Sequence, residues 1–456
     1  MMIAMYRTKL LISFISVLVN ISFCAYSQNN NKSDSIQTFT LEQCIDFAFQ
    51  HQPALNQSLL NRSIAKINNN INLSGWLPQL NLSGNLLHYN QLPTTFIADQ
   101  TNPGGPPIET HTGVINTFVP VLTASQTIFN PQLLHAARSA PLYIKLAEQV
   151  TDSTKINIVS TVSKSFYNLL LILEQINVLK EDTSRLGRNV LDAYHQYVGG
   201  IVDVTDYEQA IITLNNSKAQ LKQQTENIEP SYAALKQTMG YPGQQQFNVA
   251  IDTAQMMQEI TFDTTQLLQY EKRIEYQQLQ TLKELQHQVT DYNRLSFLPT
   301  VSAIYNYYFE YESNTSSAFF NTAYPYSYIG LTFNFPLFTG FSRIENLHKS
   351  KLQEQLVDWD ENKLKSQIYT EYASAFAGYK SNLYNLRLLK DNETRAKNVF
   401  RIVSMQYKQG IVAYLNIIVA ESNLITAEIG YINSLFQLLS SKIDLEKAIG
   451  IIPYNN

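Results

Sequence analysis

The residues able to do chemistry in this 456-residue chain are scattered rather than gathered. Histidines stand at positions 51, 88, 111, 135, 195, 287 and 348, and none belongs to a His-Glu-x-x-His pair of helical zinc ligands. There is no Gly-x-Ser-x-Gly nucleophile elbow, no phosphate-cradling glycine loop and no Cys-x-x-Cys. Lone helical histidines such as His195 and His348 read as surface residues. Met239, Met256, Met257 and Met405 form no stripe that could pass copper along. Cys24 and Cys44 are the only cysteines, which excludes a disulfide framework and a cysteine-rich metal site. No catalysis, cofactor or resident metal is expected. The position-specific features lie instead at reversals of long helices. Gly200 and Gly410 fall where the chain must turn back, and glycine accepts the positive φ such a turn requires.

The elements carrying those turns are long and low in charge. Charged residues make up 15% of the chain, against about 25% in a typical soluble domain. Thirty-three basic and 37 acidic residues leave a net charge of −4, so no nucleic-acid partner is indicated. Only 15 prolines and 16 glycines interrupt the chain, while tyrosine numbers 28 and phenylalanine 22.

At the N-terminus, Arg7 and Lys9 precede the apolar run Leu10 to Phe23, and Ala25-Tyr26-Ser27 supplies small residues at a cleavage site. Residues 1–27 therefore read as a secretory signal peptide, with 28–39 a polar leader. Asn20 interrupts the run, which falls short of the ~20 residues a spanning helix needs. Phe23 stands where lipidation of Cys24 would require a small residue. No later segment reads as a membrane helix, so embedding in lipid after export would require a closed β-barrel.

The rest is one unit written twice. Phe166 and Phe376, Tyr197 and Tyr407, Gly200 and Gly410, Leu214 and Leu424, and Gly240 and Gly450 all share an offset of 210 residues. Trp76-Leu77-Pro78 matches Phe297-Leu298-Pro299 further upstream. The repeats span 40–240 and 264–450, joined by a linker at 241–263 and followed by a tail at 451–456.

Each copy is expected to open with one helix, Leu41 to about Gly75 and Thr265 to about Phe297, ended by a Leu-Pro pair. Thr40 and Gln43 have the spacing of a capping box. A β-hairpin follows, about 79–129 and about 299–338; Val301, Ala303, Tyr305, Tyr307 and Phe309 sit at strand period two. Asn102-Pro103-Gly104-Gly105-Pro106-Pro107 makes 91–116 a loop. Tyr305, Tyr307, Tyr324, Tyr326 and Tyr328 are expected to form an aromatic girdle, or alternatively to pack a soluble sandwich. A very long helix comes next. Leu352, Leu356, Trp359, Leu364, Ile368, Tyr372, Phe376 and Tyr379 step by three to five residues, close to a coiled-coil seam. At 1.5 Å per residue the segment 341–408 would rise ~100 Å. After Gly410 a return helix runs to Gly450.

The fold class is thus mainly α with a small β part: long antiparallel helices plus four strands. Four strands cannot close a barrel, since the smallest common ones have about eight. Open edges in lipid leave backbone groups unsatisfied. Several copies must associate, giving eight, twelve or sixteen strands.

These features resemble the TolC-like outer-membrane efflux protein family. The resemblance rests on the Leu41-Glu42-Gln43-Cys44-Ile45-Asp46-Phe47-Ala48 helix, Leu77-Pro78-Gln79-Leu80 entering the first strand, Phe335-Pro336-Leu337-Phe338-Thr339-Gly340 in the second copy, and the doubled Tyr-x-x-Gly turn. It covers 40–450 and implies a homotrimer, a twelve-stranded barrel in outer-membrane lipid and a periplasmic α-helical barrel. It also implies the role of exit duct for an efflux pump or type I secretion system, with a periplasmic adaptor and an inner-membrane transporter as partners. By the same resemblance, Tyr197, Gly200, Tyr407 and Gly410 form adaptor-docking helix tips. Asp206, with Asp203 nearby, takes the position of the acidic pore entrance, and the second copy has uncharged Asn416 and Val419 instead, with Val412 where a basic residue is common. The rival reading is a long-helix scaffold or receptor of the outer membrane or periplasm with no transport role.

Overall fold

The computed structural model describes residues 37–98, 100–101, 104–250, 260 and 268–454. The signal peptide and most of the leader lie outside the described residues, as do parts of the linker. The chain begins with β1 (Gln37–Phe39) and α1 (Leu41–His51). Thr40 caps α1 as expected: its hydroxyl accepts from Gln43 N at 3.3 Å, and Gln43 Oε1 accepts from Thr40 N at 3.0 Å. The expected single opening helix is two helices. Pro53 forces Gln52 into extended backbone, ψ 119°, and starts α2 (Pro53–Leu73) at its favoured first position.

The strand β2 (Gln79–His88) follows. The expected loop carries its own ladder, β3 (Thr94–Ile97) against β4 (Ile108–His111), because Thr94-Thr95-Phe96-Ile97 is a run of β-favouring residues; Asn102 and Pro103 of that loop lie outside the described residues. After β5 (Asn116–Phe129), Asn130 caps α3 (Pro131–Val198) by accepting from Gln132 N at 2.8 Å. The first return helix is also split, into α4 (Val204–Glu226) and α5 (Ile228–Met239). Pro230 has no N–H for the Glu226 carbonyl, which weakens the helix at this point. The short strand β6 (Phe247–Val249) leads towards α6 (Ile274–Leu295); the expected helix start at Thr265 lies outside the described residues. The second copy continues with β7 (Thr300–Ser313), β8 (Ala323–Asn334), α7 (Ser342–Lys408) and α8 (Tyr414–Ile449).

The helices form a tall bundle in two tiers. In the upper tier α2 and α6 lie along α3, and α6 along α7; in the lower tier α4, α5 and α8 pack on α3, and α8 on α7. The main core sits between the tiers, with Leu169 and Leu170 of α3, Leu235 and Met239 of α5, Tyr379 of α7, and Leu438 and Leu445 of α8. One window of α3 is apolar enough to cross a membrane, but half of it is buried inside this bundle. Cys44 is fully buried in the same core, and burial pushes its thiol up to about 12. Leader and linker contribute to the core as well. β1 pairs in parallel with β6, Phe39 opposite Val249, and the Phe39 ring stands edge-on to Phe247 at 5.3 Å.

Four glycines close these helices in the same way. At Gly200 and Gly410 the amide reaches the Tyr197 or Tyr407 carbonyl, and the next residue reaches Gln196 or Gln406, with glycine φ of 70° and 74°. Gly240 and Gly450 repeat the motif one helix later.

Candidate functional site

Strands β2, β5, β7 and β8 form one antiparallel sheet in that order, so β5 and β7 join the two repeats and β2 and β8 are its edges. Directly paired residues share a face. Register therefore sorts the side chains into two unlike surfaces. Leu80, Leu82, Leu122, Tyr305, Ile329 and Phe333 share one face, through the pairs Leu82↔Leu122, Tyr305↔Ile329 and their neighbours. The other face bears Asn81, Thr123, Ser125, Asn306, Thr332 and Asn334. There the Thr123 hydroxyl donates to Asn306 Oδ1 at 2.6 Å. An apolar face opposite a polar one is the alternation of a barrel between lipid and water. The girdle expectation holds only by half. Tyr305 and Tyr307 lie on the apolar face, whereas Tyr324, Tyr326 and Tyr328 lie on the polar one, because Tyr326 pairs with Tyr308.

At the opposite end of the bundle the helix tips meet around a small core of Ala193, Ala210, Tyr407, Tyr414 and Ile417. The two turn tyrosines, equivalent in sequence, have different surroundings. Tyr407 is 7% exposed and donates its hydroxyl to Gln196 Oε1 at 2.6 Å. Tyr197 is 41% exposed and stacks on Tyr207 with centroids 6.2 Å apart. Asp203 caps α4 by accepting from Thr205 N at 3.2 Å. Asp206 is half-buried in the first turn of α4. Burial raises the Tyr407 phenol, and the charges of Asp206 and Asp192 raise it further, so Asp206 is close to the second copy's turn. Asn416 and Val419 are exposed, and Asn416 Nδ2 reaches back to the Ala413 carbonyl at 3.4 Å. Val412 packs against the tip core, which explains an apolar residue at that position. Val198, Ile201, Ile411 and Leu415 leave the tips apolar and exposed.

Sequence reasoning missed a buried ionic cluster about 15 residues above the first tip, at ~22 Å by helical rise. Arg185 donates to Asp182 Oδ1 and to Glu421 Oε1, both at 2.8 Å, with its guanidinium 5.1 Å from the Phe400 ring centroid. Ser217 donates to Asp182 Oδ2 at 2.7 Å, and Asn189 to Glu421 Oε2 at 3.0 Å. The cluster thus ties α3, α4, α7 and α8 together, Arg185 reaching α7 and α8 and Asp182 reaching α4. The only signal for it was a carboxylate and an arginine three apart on an otherwise apolar helix face, which is common.

The outer membrane efflux protein family matches the chain over residues 44–241 and 268–451. No curated protein matches it in sequence. Among solved structures it is similar to the outer membrane protein VceC from Vibrio cholerae, with TM-score 0.70 and 16% identity, covering 90% of this chain and 96% of that one. It is also similar to the CmeC outer membrane channel of Campylobacter jejuni, with TM-score 0.70 and 19% identity over 90% and 85% of the two chains. The open-state MtrE outer membrane channel of Neisseria gonorrhoeae gives TM-score 0.68 and 16% identity over 90% and 88%. The family match spans most of the chain and both repeats, so the protein belongs to the outer membrane efflux protein family, whose members are passive channels, not enzymes, seated in the outer membrane with a helical tunnel in the periplasm.

Proposed function

We propose that three copies of this chain close one twelve-stranded barrel and one helical tunnel, and that the assembly is the exit duct of a tripartite efflux pump or type I secretion system. The observation that carries this is the four-stranded sheet with two free edges, one apolar face and one polar face. Pairing β8 of one copy with β2 of the next removes both edges. It also brings together two apolar stripes that a single chain leaves exposed. Leu60, Ile64, Ile67 and Ile71 run along α2, which leads into β2; Leu352, Leu356 and Trp359 run along α7, which follows β8. Three is the copy number that the family resemblance implies.

The tips Gly200 and Gly410, with Tyr197 and the apolar residues around them, are the adaptor-docking surface in this reading, and Tyr407 holds the second turn against the first copy. Asp206, Asp203 and Asn416 line the entrance. The test is co-purification: crosslinked complexes from cells should contain a periplasmic adaptor and an inner-membrane transporter. A scaffold or receptor would yield neither and would give no conductance in planar bilayers.

A further inference from the structure

We propose that the polar face of the β7–β8 hairpin carries a binding site for soft organic cations, formed by Tyr308, Tyr324, Tyr326 and Tyr328 with Glu310 and Glu312. The site rests on the reading that this face lines the lumen. Aromatic rings on a lipid face fit their surroundings, whereas a group of them on the polar face of the same sheet does not. Here register puts four tyrosines together on that side. Tyr308 lies directly opposite Tyr326, and their rings stack with centroids 4.4 Å apart and planes 6° from parallel. Tyr328 brings its hydroxyl to 3.4 Å from that of Tyr308. Tyr324, Tyr326 and Tyr328 all remain about half exposed, so ring surface is left open to a ligand.

The charge beside them has one sign. Glu310 pairs across the ladder with Tyr324, and Glu312 follows two residues on, on the same face. The four strands contain no lysine or arginine, and neither glutamate makes an ion pair among the described residues. A carboxylate pair alone attracts any cation. Tyrosine faces add attraction for a cation that sheds water easily, such as a quaternary or aromatic ammonium, and little for a small ion that keeps its hydration shell. Open walls around a wide lumen make the site weak, as passage through a duct requires.

The experiment is block of single-channel current through the full-length protein in planar bilayers. The probes are benzyltrimethylammonium, benzenesulfonate and magnesium, added to the side of the hairpin loops. The site predicts concentration-dependent block by benzyltrimethylammonium alone. Tyr326→Ala and Tyr328→Ala should each raise the blocking concentration roughly two- to fivefold, the range of an exposed cation–π contact. Tyr326→Phe, which keeps the ring, should leave it near its original value. Glu310→Gln with Glu312→Gln should also weaken block. Unchanged block in both alanine variants, or equal block by magnesium, overturns the site while leaving the duct intact. Absence of conductance in the unsubstituted protein overturns the duct and the site together.

Discussion

Arg185 Nε lies 2.8 Å from Glu421 Oε1, and the same guanidinium reaches Asp182 Oδ1 at 2.8 Å, so one cation sits between carboxylates from opposite repeats. Asp182 is 0% exposed and Glu421 1%. Burial raises both carboxyls, and Arg185 only partly offsets it. A carboxyl raised by folding contributes stability below its unfolded value and loses it as pH rises through the folded value. The excess negative charge therefore costs stability at neutral pH. Glu421→Gln is expected to leave thermal unfolding of the helical body unchanged or slightly higher at neutral pH. Arg185→Met should lower stability by about 3–5 kcal/mol, because two buried carboxylates lose their partner. Circular dichroism melts in detergent test both; equal losses in the two variants would refute the assignment.

Glu361, in the upper tier, has the opposite sign. Lys365 Nζ at 2.7 Å and Lys283 Nζ at 3.1 Å push its carboxyl down to about 2. Its share of stability is present above the usual carboxylate value of about 4.3 and disappears as pH falls towards 2. Wild-type protein should show increasing hydrogen exchange in α6 over that acid range, and Glu361→Gln should flatten the dependence. An identical acid profile in the variant would sink the prediction.

The lipid-facing surface can be tested at Ile329, which is 81% exposed in a single chain. In a water-facing sheet, lysine there would change stability by under about 0.5 kcal/mol. In a barrel wall it should cost about 2–4 kcal/mol and reduce assembled protein in outer-membrane fractions. The same preparations address copy number: native mass in detergent should be about three times that of the mature chain. A folded monomer in micelles would refute the closed barrel.

Gly410 has φ 74° and open space around a would-be Cβ. A bulky replacement therefore strains only the backbone, by about 1 kcal/mol, and disturbs no packing. Gly410→Leu is expected to abolish export while assembled protein in the membrane stays near its normal level. If the assembly itself disappears, the glycine serves folding alone.

At the entrance, Asp206→Asn should lower the cation-to-anion permeability ratio in planar bilayers, and Asn416→Asp, exposed at the equivalent position, should raise it. The half-buried position of Asp206 beside Tyr407 predicts the smaller effect for Asp206→Asn. A ratio unmoved by either substitution means that neither side chain faces the pore.

Local chemistry made much of this legible from sequence. The 210-residue offset between Gly200 and Gly410 predicted two helix reversals, and both have the same backbone hydrogen bonds. Thr40 and Gln43 predicted a capping box, and both of its hydrogen bonds form. Caps, turns and period depend on neighbours a few residues apart, so a linear chain displays them. What the sequence left open depends on contacts between distant residues. Tyr305 and Tyr326 both lie in alternating aromatic runs, and only the pairing of Tyr308 with Tyr326 sends them to opposite faces; a slip of one residue would put them on the same side. Tyr197 and Tyr407 hold equivalent positions in the repeats, yet one is exposed and the other buried, because the second copy's turn rests on Gln196 of the first. Arg185 finds Glu421 across 236 residues only when α8 lies against α3. Periodicity places a side chain on its own element, and only the packing of elements decides what that side chain meets.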